Sequence, residues 1–113
     1  MDTLTAIATR RSTRMYKPEQ ISDSQLQTVL AAGWASPVGH GAYGELYISV
    51  VQNPKILENF AEYCGQAFGN PKYNPFYGAP TLIVVSAKPK DDGQLVYIAD
   101  VGCILENMQL AAT

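Results

Sequence analysis

The chain has 113 residues and a mass of 12.3 kDa, enough for one domain and too little for two. Hydrophobic residues make up 47% of it and charged residues 16%, against a usual share of ~25% charged, which excludes a disordered chain and leaves apolar surface for a subunit or ligand to cover. The net charge of −2 argues against a protein that wraps nucleic acid over its whole surface. Two cysteines, Cys64 and Cys103, and one histidine, His40, provide no zinc-binding spacing. The cysteines read as two buried free thiols in a reducing compartment. No signal peptide opens the chain and no apolar run reaches the roughly 20 residues of a membrane span, so the expectation is a cytoplasmic, soluble protein.

In chain order, Asp2 to Arg11 predicts a short helix with Asp2 as its cap and Leu4, Ile7 and Ala8 on one face. Arg11 to Pro18 reads as extended. Ser22-Asp23-Ser24-Gln25 is a capping-box pattern. The helix it opens points Leu26, Val29, Leu30 and Trp34 toward a core and ends near Ser36-Pro37. A glycine-rich loop, Val38 to Gly44, then leads into a strand over Glu45–Val51. Asn53-Pro54 opens a third helix through Ile56, Leu57, Phe60, Ala61 and Cys64. Gly65 to Gly78 reads as loop, and Thr81–Ser86 as a strand buried on both faces. After a polar turn at Lys88–Gly93, Leu95–Thr113 forms a long helix. Thirteen of its 19 residues are apolar and surround it, placing it centrally or at a subunit interface. Ala111-Ala112-Thr113 offers no helix stop, so the chain is expected to end inside an element of a larger fold, as a truncated product or a fragment.

Three segments could carry chemistry. Gly39-His40-Gly41-Ala42-Tyr43-Gly44 matches the dinucleotide pattern G-x-G-x-x-G, but a helix precedes it and a strand follows, the reverse of the order a pyrophosphate site needs. Its glycines serve a tight turn or a close backbone approach to something flat. Arg10-Arg11-Ser12-Thr13-Arg14 gathers three guanidiniums and two hydroxyls within five residues. These suit a phosphate, or else the arginines complement the end of the first helix. Asp100 and Glu106 are buried-looking acids of the long helix, expected to hydrogen-bond across an interface or to backbone. His40 reads as a surface residue. No nucleophile elbow or paired-carboxylate pattern is present, so an enzyme built on this chain would rely on a cofactor for its chemistry.

Taken in order, these pieces resemble the FMN-dependent nitroreductase family. The resemblance is carried by Ala6-Ile7 with Arg10-Arg11-Ser12-Thr13-Arg14-Met15-Tyr16 and Ile21-Ser22-Asp23. It continues through Leu30-Ala31-Ala32 to Ala35-Ser36-Pro37, Val50-Val51 and Ala79-Pro80-Thr81-Leu82-Ile83-Val84-Val85. It ends on Asp100-Val101-Gly102 and Glu106-Asn107-Met108-Gln109-Leu110-Ala111-Ala112. It implies an α+β nitroreductase-like sandwich, a central β-sheet flanked by helices with a long dimer-core helix, whose late strands are missing here; residues 1–113 would be a single, incomplete domain. It also implies a homodimer with FMN at the subunit interface, NADH or NADPH as electron donor, and a nitroaromatic, quinone or enone acceptor. No metal, nucleic acid or membrane enters. Carried over residue by residue, Arg10, Arg11, Ser12 and Arg14 would hold the FMN phosphate. Ser36, Pro37, Val38 and Gly39 would pack on the flavin ring, and Asn70 would match the family's asparagine near its edge.

Two departures qualify the pattern. Where the family commonly has P-S-x-x-N-x-Q-P-W, the Asn, Gln and Trp positions hold Gly41, Tyr43 and Glu45, which is similar to a small branch with a P-V-G-x-G-A-Y loop. The glycine-rich segment that approaches flavin N5 in the family, the late strands and a terminal basic residue have no counterpart before Thr113. Two alternatives therefore stay open: an inactive truncated remnant that dimerises with weak or no flavin binding, and a small anion- or nucleotide-binding module using the arginine cluster.

Overall fold

A computed structural model describes residues 1–90, 93 and 95–113. Four helices and two strands follow one another: α1 (Thr3–Thr9), α2 (Asp23–Trp34), β1 (Leu46–Val51), α3 (Pro54–Ala67), β2 (Leu82–Ala87) and α4 (Val96–Ala111). Two short 3-10 turns, Gly39–Gly41 and Tyr43–Glu45, join α2 to β1. This is an α+β arrangement, the class expected of the sequence. The predicted polar turn at Lys88–Gly93 lies partly outside the described residues.

Local chemistry sets the helix starts. Asp2 accepts the Thr5 N–H at 3.0 Å and caps α1. At α2, Ser22 Oγ accepts from the Gln25 N–H and Gln25 Oε1 accepts from the Ser22 N–H, a complete capping box. Asn53 caps α3 through Oδ1, with Pro54 at the first helical position, where no partner for an N–H is needed.

The chain forms two compact units. The first comprises residues 1–11, 22–48 and 85–113, the second residues 12–21 and 49–84. In the first, α2 packs along α4, and the buried residues are Leu26, Leu46, Ile104 and Met108 with Gly33, Ser36 and Asp100. Ile104 is wholly withdrawn from solvent. The helices are tied by polar bonds as well: Asn107 Nδ2 donates to the Ala32 carbonyl at 3.1 Å and Ser36 Oγ to the Cys103 carbonyl at 3.2 Å.

In the second unit, α3 runs on through Gly65 to Ala67, past its predicted end at Cys64. The reason is close approach: a Cβ on Gly65 would lie 2.9 Å from the carbonyl oxygens of both Asn70 and Tyr73. Glycine here lets the following turn fold back on the helix rather than breaking it. Gln20 Nε2 donates to the Pro80 carbonyl at 2.9 Å, and the Thr81 hydroxyl accepts from Gln52 Nε2 while donating to Gln20 Oε1. The strands form an antiparallel pair, with the Lys88 N–H donating to the Glu45 carbonyl at 2.8 Å.

Several burial expectations are corrected. Leu4 and Ile7 of α1 are exposed, and α1 buries no residue. Trp34 is exposed because it lies about 80° around the helix from Leu26, off the edge of the Leu26–Leu30–Gly33 face. No residue of β2 is fully buried, since in a two-stranded sheet neither strand is interior. On α4 only Asp100, Ile104 and Met108 are buried, a single line at four-residue spacing, while Val96, Ile98 and Leu105, with Leu95 just before the helix, face solvent. Glu106 is exposed too. The thiols are free, as expected, but Cys64 is half-buried and Cys103 exposed.

Candidate functional site

The glycine-rich loop belongs to the first unit, between the end of α2 and the start of β1. Ser36 anchors it: the residue is fully buried, its hydroxyl bonded to the Cys103 carbonyl and its own carbonyl accepting the Tyr43 hydroxyl at 2.8 Å. The Ser36 side chain is therefore engaged inside the chain, whereas Pro37 is exposed and Val38 and Gly39 are half-buried. The Gly39 N–H donates to Asp100 Oδ1 at 2.9 Å. A Cβ on Gly39 would lie 2.4 Å from Val96 Cγ1, so only glycine lets this backbone rest on the first turns of α4. His40 and Gly41 follow with φ of 56° and 62°, two successive left-handed residues that turn the chain at an exposed crest. His40 is on the surface, as its sequence context predicts. With α2 before the loop and β1 after it, the reversed order that argued against a dinucleotide fingerprint is present.

The basic cluster divides between the units. In the first, Arg10 caps the C-terminus of α1 and its Nε lies 3.9 Å from Glu106 Oε1. Arg11 Nη1 donates to the carbonyls of Ala8 and Arg10, complementing the end of α1. In the second, Ser12 and Arg14 lie on an exposed segment outside any helix or strand. Arg14 is close enough to Tyr73 for its charge to act on that phenol. Tyr73 is nevertheless held above the usual tyrosine range, chiefly by a hydrogen bond to Tyr77.

Asn70 stands in the turn after α3. Its N–H donates to the Gly65 carbonyl and its Oδ1 accepts the Lys72 N–H at 3.2 Å, so the side chain shapes that turn. The second unit also contains a cleft of about 520 Å³ whose walls include Leu57, Ala61, Tyr73, Phe76 and Pro80, with Glu58 and Glu62 at its margin. Neither this cleft nor the anchoring role of Asp100 is apparent from the sequence. The one available signal is a carboxylate within the apolar first half of α4. Among the described residues, no helix is long and apolar enough to cross a membrane.

Residues 7–113 match the nitroreductase family. This chain belongs to that family. Solved structures of similar sequence point the same way. A Bacteroides fragilis nitroreductase with bound FMN is 34% identical over 99% of this chain and 64% of its own, with a TM-score of 0.89. A Desulfitobacterium hafniense nitroreductase with bound FMN is 31% identical over 99% of this chain and 65% of its own, with a TM-score of 0.82. An FMN-dependent nitroreductase from Clostridium difficile is 32% identical over 97% of this chain and 54% of its own, with a TM-score of 0.79. The chain thus spans a little over half to about two-thirds of the length of these relatives. No curated protein matches it.

Proposed function

We propose that this nitroreductase-family chain is part of an FMN-dependent oxidoreductase that moves electrons from NADH or NADPH to a nitroaromatic, quinone or enone acceptor. The observation that carries this reading is the likeness, along 99% of the chain, to a nitroreductase crystallised with FMN. The donor set is chemically suited to the group: forked guanidinium donors and a hydroxyl for a phosphate.

In this reading Arg10, Arg11, Ser12 and Arg14 hold the phosphate. Pro37, Val38 and Gly39 present backbone and small side chains to the ring, while Ser36 fixes the base of their loop from within. Asn70 supplies a side-chain amide near the ring edge. Bound FMN supplies the two-electron chemistry, so the protein's contribution is binding, orientation and electrostatics. The exposed apolar residues Leu95, just before α4, and Ile98 and Leu105 on it are the surface a second copy would cover in a homodimer. Residues 1–113 would then form part of one domain of a cytoplasmic enzyme.

The test is the visible spectrum of the purified protein after FMN addition and desalting. A retained flavin spectrum that bleaches anaerobically with NADH or NADPH, and recovers with a nitroaromatic or quinone, is the expected result. A protein that retains no flavin at saturating FMN would contradict the reading and favour the remnant. Binding of nucleotides lacking a flavin ring as tightly as FMN would favour an anion-binding module.

A further inference from the structure

We infer that Asp100 is a positioning residue: its carboxylate holds the backbone of the Pro37–Gly41 loop in the form presented to the flavin, an assignment that rests on the cofactor reading above. Asp100 is 9% exposed in a helix whose other buried residues, Ile104 and Met108, are apolar. Burying a carboxylate is costly unless it is hydrogen-bonded, so its presence calls for a task that an apolar residue could not perform. That task is visible in the 2.9 Å bond from the Gly39 N–H, a charge-assisted bond of the stronger kind.

The surroundings exclude a simple alternative. The cavity beside Asp100, lined by His40, Tyr97 and Val96 among others, measures about 20 Å³, room for one water and no organic ligand. Asp100 therefore acts through the loop rather than on a ligand of its own. The loop is pinned at two points, Ser36 through the Cys103 carbonyl and Gly39 through Asp100. Beyond the second pin, His40 and Gly41 take left-handed backbone conformations. Releasing Gly39 frees the segment that carries Pro37 and Val38, while the Ser36 anchor and the Leu26–Ile104–Met108 core stay in place.

The experiment compares wild type, Asp100→Ala and Asp100→Asn by amide hydrogen exchange without flavin, FMN titration followed by flavin fluorescence, and visible circular dichroism of the bound flavin. Asp100→Ala is expected to speed exchange in residues 37–41 about tenfold to a hundredfold, the range for losing a hydrogen bond to a charged group. It should weaken FMN binding about tenfold and alter the flavin dichroism, with exchange in α2 and α4 unchanged. Asp100→Asn keeps an oxygen that accepts the Gly39 N–H and should restore most of both properties. Wild-type loop exchange and FMN affinity in Asp100→Ala would overturn the assignment. So would loss of protection spread evenly over α2 and α4 that Asp100→Asn fails to rescue. A wild-type protein that takes up no FMN removes the cofactor reading, and loop anchoring then stands or falls on the exchange data alone.

Discussion

In the first unit Leu26, Leu46, Ile104 and Met108 are withdrawn from water together with Ser36 and Asp100; in the second, the one buried residue among those described is Gly65. The first is stabilised by apolar burial between α2 and α4, reinforced by the bonds at Asn107, Ser36 and Asp100. The second relies on backbone and side-chain hydrogen bonds: the folded-back turn at Gly65, the Asx turns at Asn70 and Asn74, and the Gln20–Thr81–Gln52 chain. Bonds that water can reach contribute less net stability than burial of whole side chains. Residues 49–84 should therefore open locally at lower free energy than α2 and α4, which gives the difference a measurable form in hydrogen exchange.

Substitutions in each unit test this difference. The largest effect is expected from Ile104→Ala, which empties a fully buried site and should cost about 3 kcal/mol in chemical denaturation, with protection lost throughout α2 and α4. A loss below about 1 kcal/mol would mean that the first unit lacks the tight core described. Next is Gly65→Ala. Its Cβ would meet two carbonyl oxygens at 2.9 Å, and the forced backbone shift should cost about 2 kcal/mol, read as faster exchange in residues 65–78. An unchanged or stabilised protein would show that the turn yields freely. Ser22→Ala removes the α2 capping box and should cost about 1 kcal/mol, with fraying confined to the first turn of that helix.

The smallest effect is one of pH. The Thr5 hydroxyl and N–H hold the Asp2 carboxyl below its ordinary value of 3.8. Because the folded value is the lower one, the stabilisation is present above 3.8 and is lost as the pH falls through the folded value. Helical signal from α1 should accordingly fall only as the pH drops below 3.8, leaving circular dichroism flat from about pH 5 to 8 as far as this group is concerned.

Features fixed by near neighbours in the chain were legible from the sequence. The Asp2, Ser22 and Asn53 caps and the break near Ser36-Pro37 each depend on a few consecutive residues, and each stands where the pattern places it. What depends on distant packing was not. Leu4, Ile7 and Trp34 have the composition of core residues, yet which side of a helix is buried depends on what packs against it. Gly65 reads as a helix breaker because the carbonyls that need its missing Cβ arrive from five and eight residues later. For Asp100 the sequence leaves open a partner across an interface or on the backbone; the partner is the Gly39 N–H, 61 residues away, and only the fold supplies it. In the candidate site, residue types suited to a phosphate could be read directly. The engagement of Arg11 with the end of α1 is one of the two readings the cluster allows, whereas the internal engagement of Ser36 depends on a carbonyl 67 residues away.

The central claim, that the arginine–serine segment and the glycine loop serve FMN, is tested most directly by titrating the protein in parallel with FMN and riboflavin, which differ by the phosphate alone. FMN should bind at least about tenfold more tightly than riboflavin, rising salt should erode the difference, and Arg14→Ala should abolish most of it. Equal affinities for the two flavins, or no binding of either, would contradict it.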